Sequence, residues 1–196
     1  MNLIKEDFIL LGKNQNKKHI LIMEIPTSWE DITIGKYIEL KPILETEQTE
    51  VERVINILCV LTGKKREEIR EIQLKDYHKL IKKMSFLNTE IPTKLEKTRF
   101  KIDGKYYEFK INAEKLMFGE YINAMELLQS KNENAIFDNL HKILVSICRP
   151  VERRLRWREI EMTGELLKET SQIFYDKMSI TIAYPILVFF AVTQRT

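Results

Sequence analysis

Two stretches, ITIGKYIELKPIL at residues 32–44 and LMFGEYINAMELL at 116–128, carry one pattern. Gly35, Tyr37, Ile38 and Leu44 recur as Gly119, Tyr121, Ile122 and Leu128 at a constant offset, four identities in thirteen positions. A second apolar helical stretch follows each copy, VINILCVLTG at 54–63 and LHKILVSICR at 140–149. A hairpin-like stretch precedes each, FILLGK from Phe8 and FKIDGK from Phe100. Self-similarity of this kind decides architecture before any local reading does. The expected fold is α+β, mainly helical, built of two pseudo-repeats, residues 1–92 and 93–196. Each is a β-hairpin followed by a Gly-x-Tyr helix and a small helical bundle, and whether the two hairpins join in one sheet is left open. Chance likeness between amphipathic helices is the alternative that four identities leave standing.

Local signals set the elements. Phe8–Leu11 and His19–Ile25 are short β-rich runs around the polar turn GKNQNKK, and Pro26 ends the second. Thr33 can cap a helix from Ile34 to about Leu44, kinked or stopped early by Pro42. Thr49 opens a helix over 50–62 with an apolar stripe of Val51, Val54, Ile55, Leu58 and Leu61, and Gly63 suits its end. Short helices are expected over 64–72 and 75–87, the latter turning Leu80, Ile81, Met84 and Leu87 inward. A polar linker spans 88–97. Asp103-Gly104 between Arg99–Ile102 and Tyr106–Ile111 is a strong hairpin signal. Further helices are expected over 117–129, 136–148, 164–177 and 180–192. Gly35 and Gly119 read as sites where another backbone comes close, covered by Tyr37 and Tyr121.

Composition narrows the function. A chain of 196 residues with 44% hydrophobic content buries a core without staples. A net charge of +3 is too mild for a dedicated nucleic-acid binder. Cys59 and Cys148 sit in apolar helical runs and read as packed thiols in a reducing cytoplasm. The N-terminus shows no secretory leader pattern. The apolar run ITIAYPILVFFAV at 180–192 is short for a membrane span and reads as a buried helix.

Signals of catalysis are weak. His19, His78 and His141 lack ligand spacing, so no metal is expected. No nucleophile elbow or phosphate loop occurs, and six glycines hardly allow one. No cofactor and no enzymatic activity are expected. Arg149, Arg153, Arg154, Arg156 and Arg158 surround Trp157, a pairing used on protein hot spots and on nucleic acids. On a helix, Arg149, Arg153 and Arg156 would share one side. Three readings stay open for this segment: a solvated helix neutralised by Glu152, Glu159 and Glu161, a protein interface, or a nucleic-acid contact.

The stretch IPTSWEDITIGKYIEL at 25–40 resembles small tail-assembly and tail-region proteins of tailed bacteriophages. VERVINILCVLTGKKREEI at 51–69, FGEYINAMELL at 118–128 and the following helix ending at Arg149-Pro150 are similar as well. The resemblance implies a non-enzymatic virion structural or assembly protein, a chaperone or a head-to-tail connector ring. Its implied partners are other tail or neck proteins or further copies of itself, with no membrane. Its implied location is the host cytoplasm during assembly, or the virion. Expected partner contacts are Trp29, Arg149, Arg153, Arg156 and Trp157. A nucleic-acid-binding accessory protein using Arg149–Arg158 is the alternative.

Overall fold

The computed structural model describes residues 5–10, 19–110, 116–129, 133–153 and 156–193, with the backbone alone for 5–10, 19–24 and 133–135. The fold is α+β and mainly helical. The chain divides into two compact units, Met1–Ile32 with Lys36–Glu90, and Thr33–Gly35 with Ile91–Thr196.

In the first unit, β1 (Lys5–Leu10) and β2 (His19–Glu24) pair antiparallel as a two-stranded sheet. Their expected turn, GKNQNKK at 12–18, lies outside the described residues. A 3-10 turn follows at Trp29–Asp31. The Asp31 carboxylate closes it, accepting from the Thr27 N–H at 3.2 Å and the Ser28 hydroxyl at 3.3 Å. Helix α1 (Ile34–Glu45) runs past Pro42, an expected kink or stop. The Pro42 carbonyl accepts from both the backbone N–H (3.0 Å) and the hydroxyl (2.6 Å) of Thr46.

Helix α2 (Glu50–Thr62) has the boundaries its caps dictate. The Thr49 hydroxyl accepts from the Glu52 N–H, and Gly63 takes the left-handed φ of 68° that ends the helix. Its stripe of Val54, Ile55, Leu58 and Leu61 is buried, but Val51 is exposed. Helix α3 (Arg66–Arg70) is tied to α2 by ion pairs from Arg66 and Arg70 to Glu52. Helix α4 (Leu74–Lys83) tightens into a 3-10 turn at Met84–Asn88, where the sequence suggests one continuous helix. Leu80 and Met84 are buried as expected.

The second unit holds a four-stranded antiparallel sheet in the order β3-β4-β5-β6: β3 (Arg99–Ile102), β4 (Lys105–Phe109), β5 (Cys148–Arg153) and β6 (Trp157–Glu159). Asp103 and Gly104 have φ of 50° and 81°. Two positive φ values make a two-residue hairpin loop whose twist matches the strands. The two hairpins occupy separate sheets rather than a shared one.

Two expectations are corrected here. The helix expected over 136–148 is two helices, α6 (Glu133–Asp138) and α7 (Leu140–Ile147). The segment read as a helical arginine face is instead strand: β5 and β6 fill 148–153 and 157–159. The physical reason is Pro150, which disfavours helical geometry at Arg149 and cannot donate inside a helix. The sheet accommodates it. Lys110 donates to the Ile147 carbonyl at 3.1 Å, and pairs alternate from there, so Tyr107 and Pro150 face each other at a non-bonded position.

One face of the sheet is the core. Phe100, Tyr107 and Phe109 are buried there. Phe174 of α8 (Gly164–Lys177) meets Tyr107 edge-on at 5.0 Å, and Phe189 of α9 (Ile180–Thr193) meets Phe109 at 5.8 Å. Helix α7 is buried almost throughout and packs on α5 (Phe118–Leu128), α8 and α9. Helix α9 buries Ile180, Ala183, Ile186, Leu187 and Phe190. No described helix is long and apolar enough to cross a membrane.

The glycine shared by the two copies has two environments. A Cβ on Gly35 would lie 2.7 Å from the Tyr175 ring, whereas one on Gly119 would meet nothing within 4 Å. The close neighbour at Gly35 is therefore an aromatic side chain, not the expected backbone, and at Gly119 there is no close neighbour among the described residues.

Candidate protein-interaction surface

Side chains alternate across a strand, so the sheet of the second unit has a second face opposite its core. The register places Arg99 and Lys101 of β3, Tyr106 and Glu108 of β4, Arg149, Val151 and Arg153 of β5, and Trp157 and Glu159 of β6 on it. Trp157 reaches across the sheet. Its ring meets Tyr106 edge-on at 5.1 Å, and the Arg99 guanidinium lies over it at 4.3 Å. Arg99 also pairs with Glu108 at 2.7 Å, and the Lys101 ammonium lies 5.4 Å from the Tyr106 ring. Tyr106 remains 39% exposed. The result is a rigid aromatic pair framed by cations. Planar groups held by neighbours lose little entropy on binding, which suits them as interface anchors.

The expected contact residues separate. Trp157 and Arg153 share this outward face, with Arg153 paired opposite Trp157. Arg156 is exposed in the bend before β6. Arg158 pairs opposite Glu152 and falls on the other face. Arg154 lies outside the described residues.

Two expected contacts are internal. Arg149 is only 4% exposed. It forms an ion pair with Glu120 of α5 and donates to the carbonyls of Val145 (3.0 Å), Cys148 (3.1 Å) and Ser146 (3.3 Å). It thus satisfies the Val145 and Ser146 carbonyls in the last turn of α7, which lie past the reach of the helix's own N–H groups. Trp29 is buried in the first unit. Its indole N–H donates to the Thr89 carbonyl at 3.0 Å, and its ring meets Phe86 at 5.4 Å and Tyr37 at 6.2 Å. Neither side chain is available to a partner in this arrangement.

The titratable groups behave as packed or paired ones. Burial pushes the Cys148 thiol far up, and also raises Cys59, aided by Glu67 and Glu68. Burial raises the Tyr107 phenol and lowers the His141 imidazole. A hydrogen bond to Glu169 holds the Lys105 ammonium above its usual value. Among the described residues, no three His, Cys, Asp or Glu side chains converge as a metal-binding group.

Sequence reasoning missed Arg99, Lys101 and Tyr106. Their alternation with Phe100, Ile102 and Tyr107 in RFKIDGKYYEF places them on one face. Their meeting with Trp157 depends on β5, which the sequence hides behind a proline. Comparison with protein-family models, with characterised proteins and with solved structures finds no match to this chain.

Proposed function

We propose that the chain is a non-enzymatic structural or assembly protein of a tailed bacteriophage, acting by protein–protein contact in the tail or neck region. The observation that carries this reading is the outward Trp157–Tyr106–Arg99 cluster of the second unit. Clusters of Trp, Tyr and Arg are what interface hot spots are made of. The likeness of 25–40 and 118–128 to tail-region proteins supplies the class of partner. The working location is the cytoplasm of the infected host, with retention in the virion if the chain forms a connector ring.

The nucleic-acid alternative rests on a stripe of arginines in 149–158. Arg149 is buried and Arg158 falls on the other face of the sheet from Arg153, so that stripe is not formed among the described residues. Glu108 also stands among the outward cations.

Sedimentation of lysate from phage-producing cells tests the reading. The protein is expected with tail or neck assemblies, before and after nuclease treatment. Sedimentation as a free protein, or with nucleic acid alone, overturns it. Light scattering on the purified chain then sorts the form: a closed ring marks a connector, a monomer an assembly factor.

A further inference from the structure

A cleft of about 410 Å³ opens in the second unit between the Gly104–Lys105 turn, β5, the end of β6 and the start of α8. Its walls are apolar, from Tyr107, Pro150, Val151, Ile160 and Leu166. Ile160 stands at the rim, 41% exposed. The volume is within the range of small ligand sites and accommodates one large side chain with its adjoining backbone.

The charges at the rim are unequal. Lys105 is neutralised by Glu169 at 2.7 Å. Glu152 is the carboxylate in the wall, and Glu159 nearby in β6 is held by Lys110 at 3.0 Å. Arg153 is exposed, and its side chain makes no ion pair or hydrogen bond with a described residue. Arg156 and Lys101, exposed on adjoining strands or bends, add positive charge without ion-pair partners there. An apolar slot beside unneutralised guanidinium groups complements an apolar side chain flanked by carboxylates.

Resting on the protein-docking role proposed above, we infer that this cleft receives a large apolar side chain from an acidic segment of a partner protein. Arg153 faces the flanking carboxylates, and Ile160 and Leu166 grip the apolar group. A polynucleotide is the poorer fit, because the apolar walls of the slot offer little to phosphates.

Fluorescence anisotropy on the full chain tests this with four probes. They are the labelled peptide Gly-Asp-Glu-Phe-Asp-Glu-Gly, its lysine counterpart, its Phe-to-Ser counterpart and a dT oligonucleotide. The acidic Phe peptide is expected to bind best. Arg153→Glu should weaken it about fivefold, and Ile160→Asp about tenfold or more. Both sites are exposed, so unchanged melting temperatures confirm that each variant folds. Absence of peptide binding, equal binding by the lysine or Ser peptide, indifference to both variants, or tighter binding of dT overturns the assignment. Failure here while the protein still sediments with tail assemblies removes the cleft and leaves the docking role. Failure of sedimentation with intact peptide binding removes the phage role and leaves the cleft.

Discussion

Gly35 and Gly119 occupy matching positions in the repeated stretch, yet their surroundings give opposite expectations for alanine. At Gly35 a methyl group would press into the Tyr175 ring, so Gly35→Ala should destabilise the protein by about 1–3 kcal/mol. At Gly119 an added methyl group would meet no described atom within 4 Å, so Gly119→Ala should stabilise by about 0.5 kcal/mol through helix propensity. Urea denaturation of the two variants checks both signs. Arg149 gives a third expectation at this scale. Removing it leaves α7 carbonyls without their donor and strands Glu120. Arg149→Met should cost about 3 kcal/mol, the low end for a broken buried pair, because Glu120 is partly exposed and can rehydrate. A variant as stable as the parent would place Arg149 back at the surface. In the sequence, Arg149 reads as one member of an arginine run, and nothing in that run marks it as the buried one.

Among the elements, those closed by local chemistry were the readable ones. Thr49 and Gly63 bound α2, Thr163 precedes α8, and Asp103-Gly104 closes its hairpin, all where turn and cap rules place them. The elements that escaped depend on distant partners. β5 exists because Cys148–Val151 finds β4 across nearly forty residues of chain, and its proline and arginines hide the alternation. The outward cluster was lost with it, since Trp157 faces Tyr106 only once β5 and β6 are in place. Helix α7 carries its own expectation. His141 is partly buried against Tyr175 at 5.2 Å, and its buried Nδ1 has no hydrogen-bond partner among the described residues. Burial lowers its pKa below the ordinary 6.5. The unfolded chain therefore takes up a proton first as pH falls, so stability drops below pH 6.5 until the folded imidazole also titrates. His141→Gln should remove part of that loss when urea unfolding is compared on the two sides of this value. Cys148 supplies a companion test. Its thiol, buried and held neutral, should react with a thiol reagent only as fast as the protein opens, and addition of urea should release it.

The whole molecule comprises two compact units, the first holding a two-stranded sheet and the second a four-stranded one, each with helices. The likeness of 32–44 to 116–128 was visible in the sequence, while the different surroundings of its two glycines were not, because Gly35 meets Tyr175, far along the chain. Among the described residues, the second unit carries a sheet face where aromatic rings and cations lie side by side. The account stands on that face meeting other proteins. The most direct measurement is sedimentation of lysate from phage-producing cells carrying either the parent chain or Trp157→Ala, with the variant's melting temperature recorded. The account predicts that the parent travels with tail or neck assemblies, and that the folded variant shifts to the free fraction, as expected when a hot-spot residue worth about 2 kcal/mol is removed. A folded variant that stays with the assemblies as fully as the parent would contradict it.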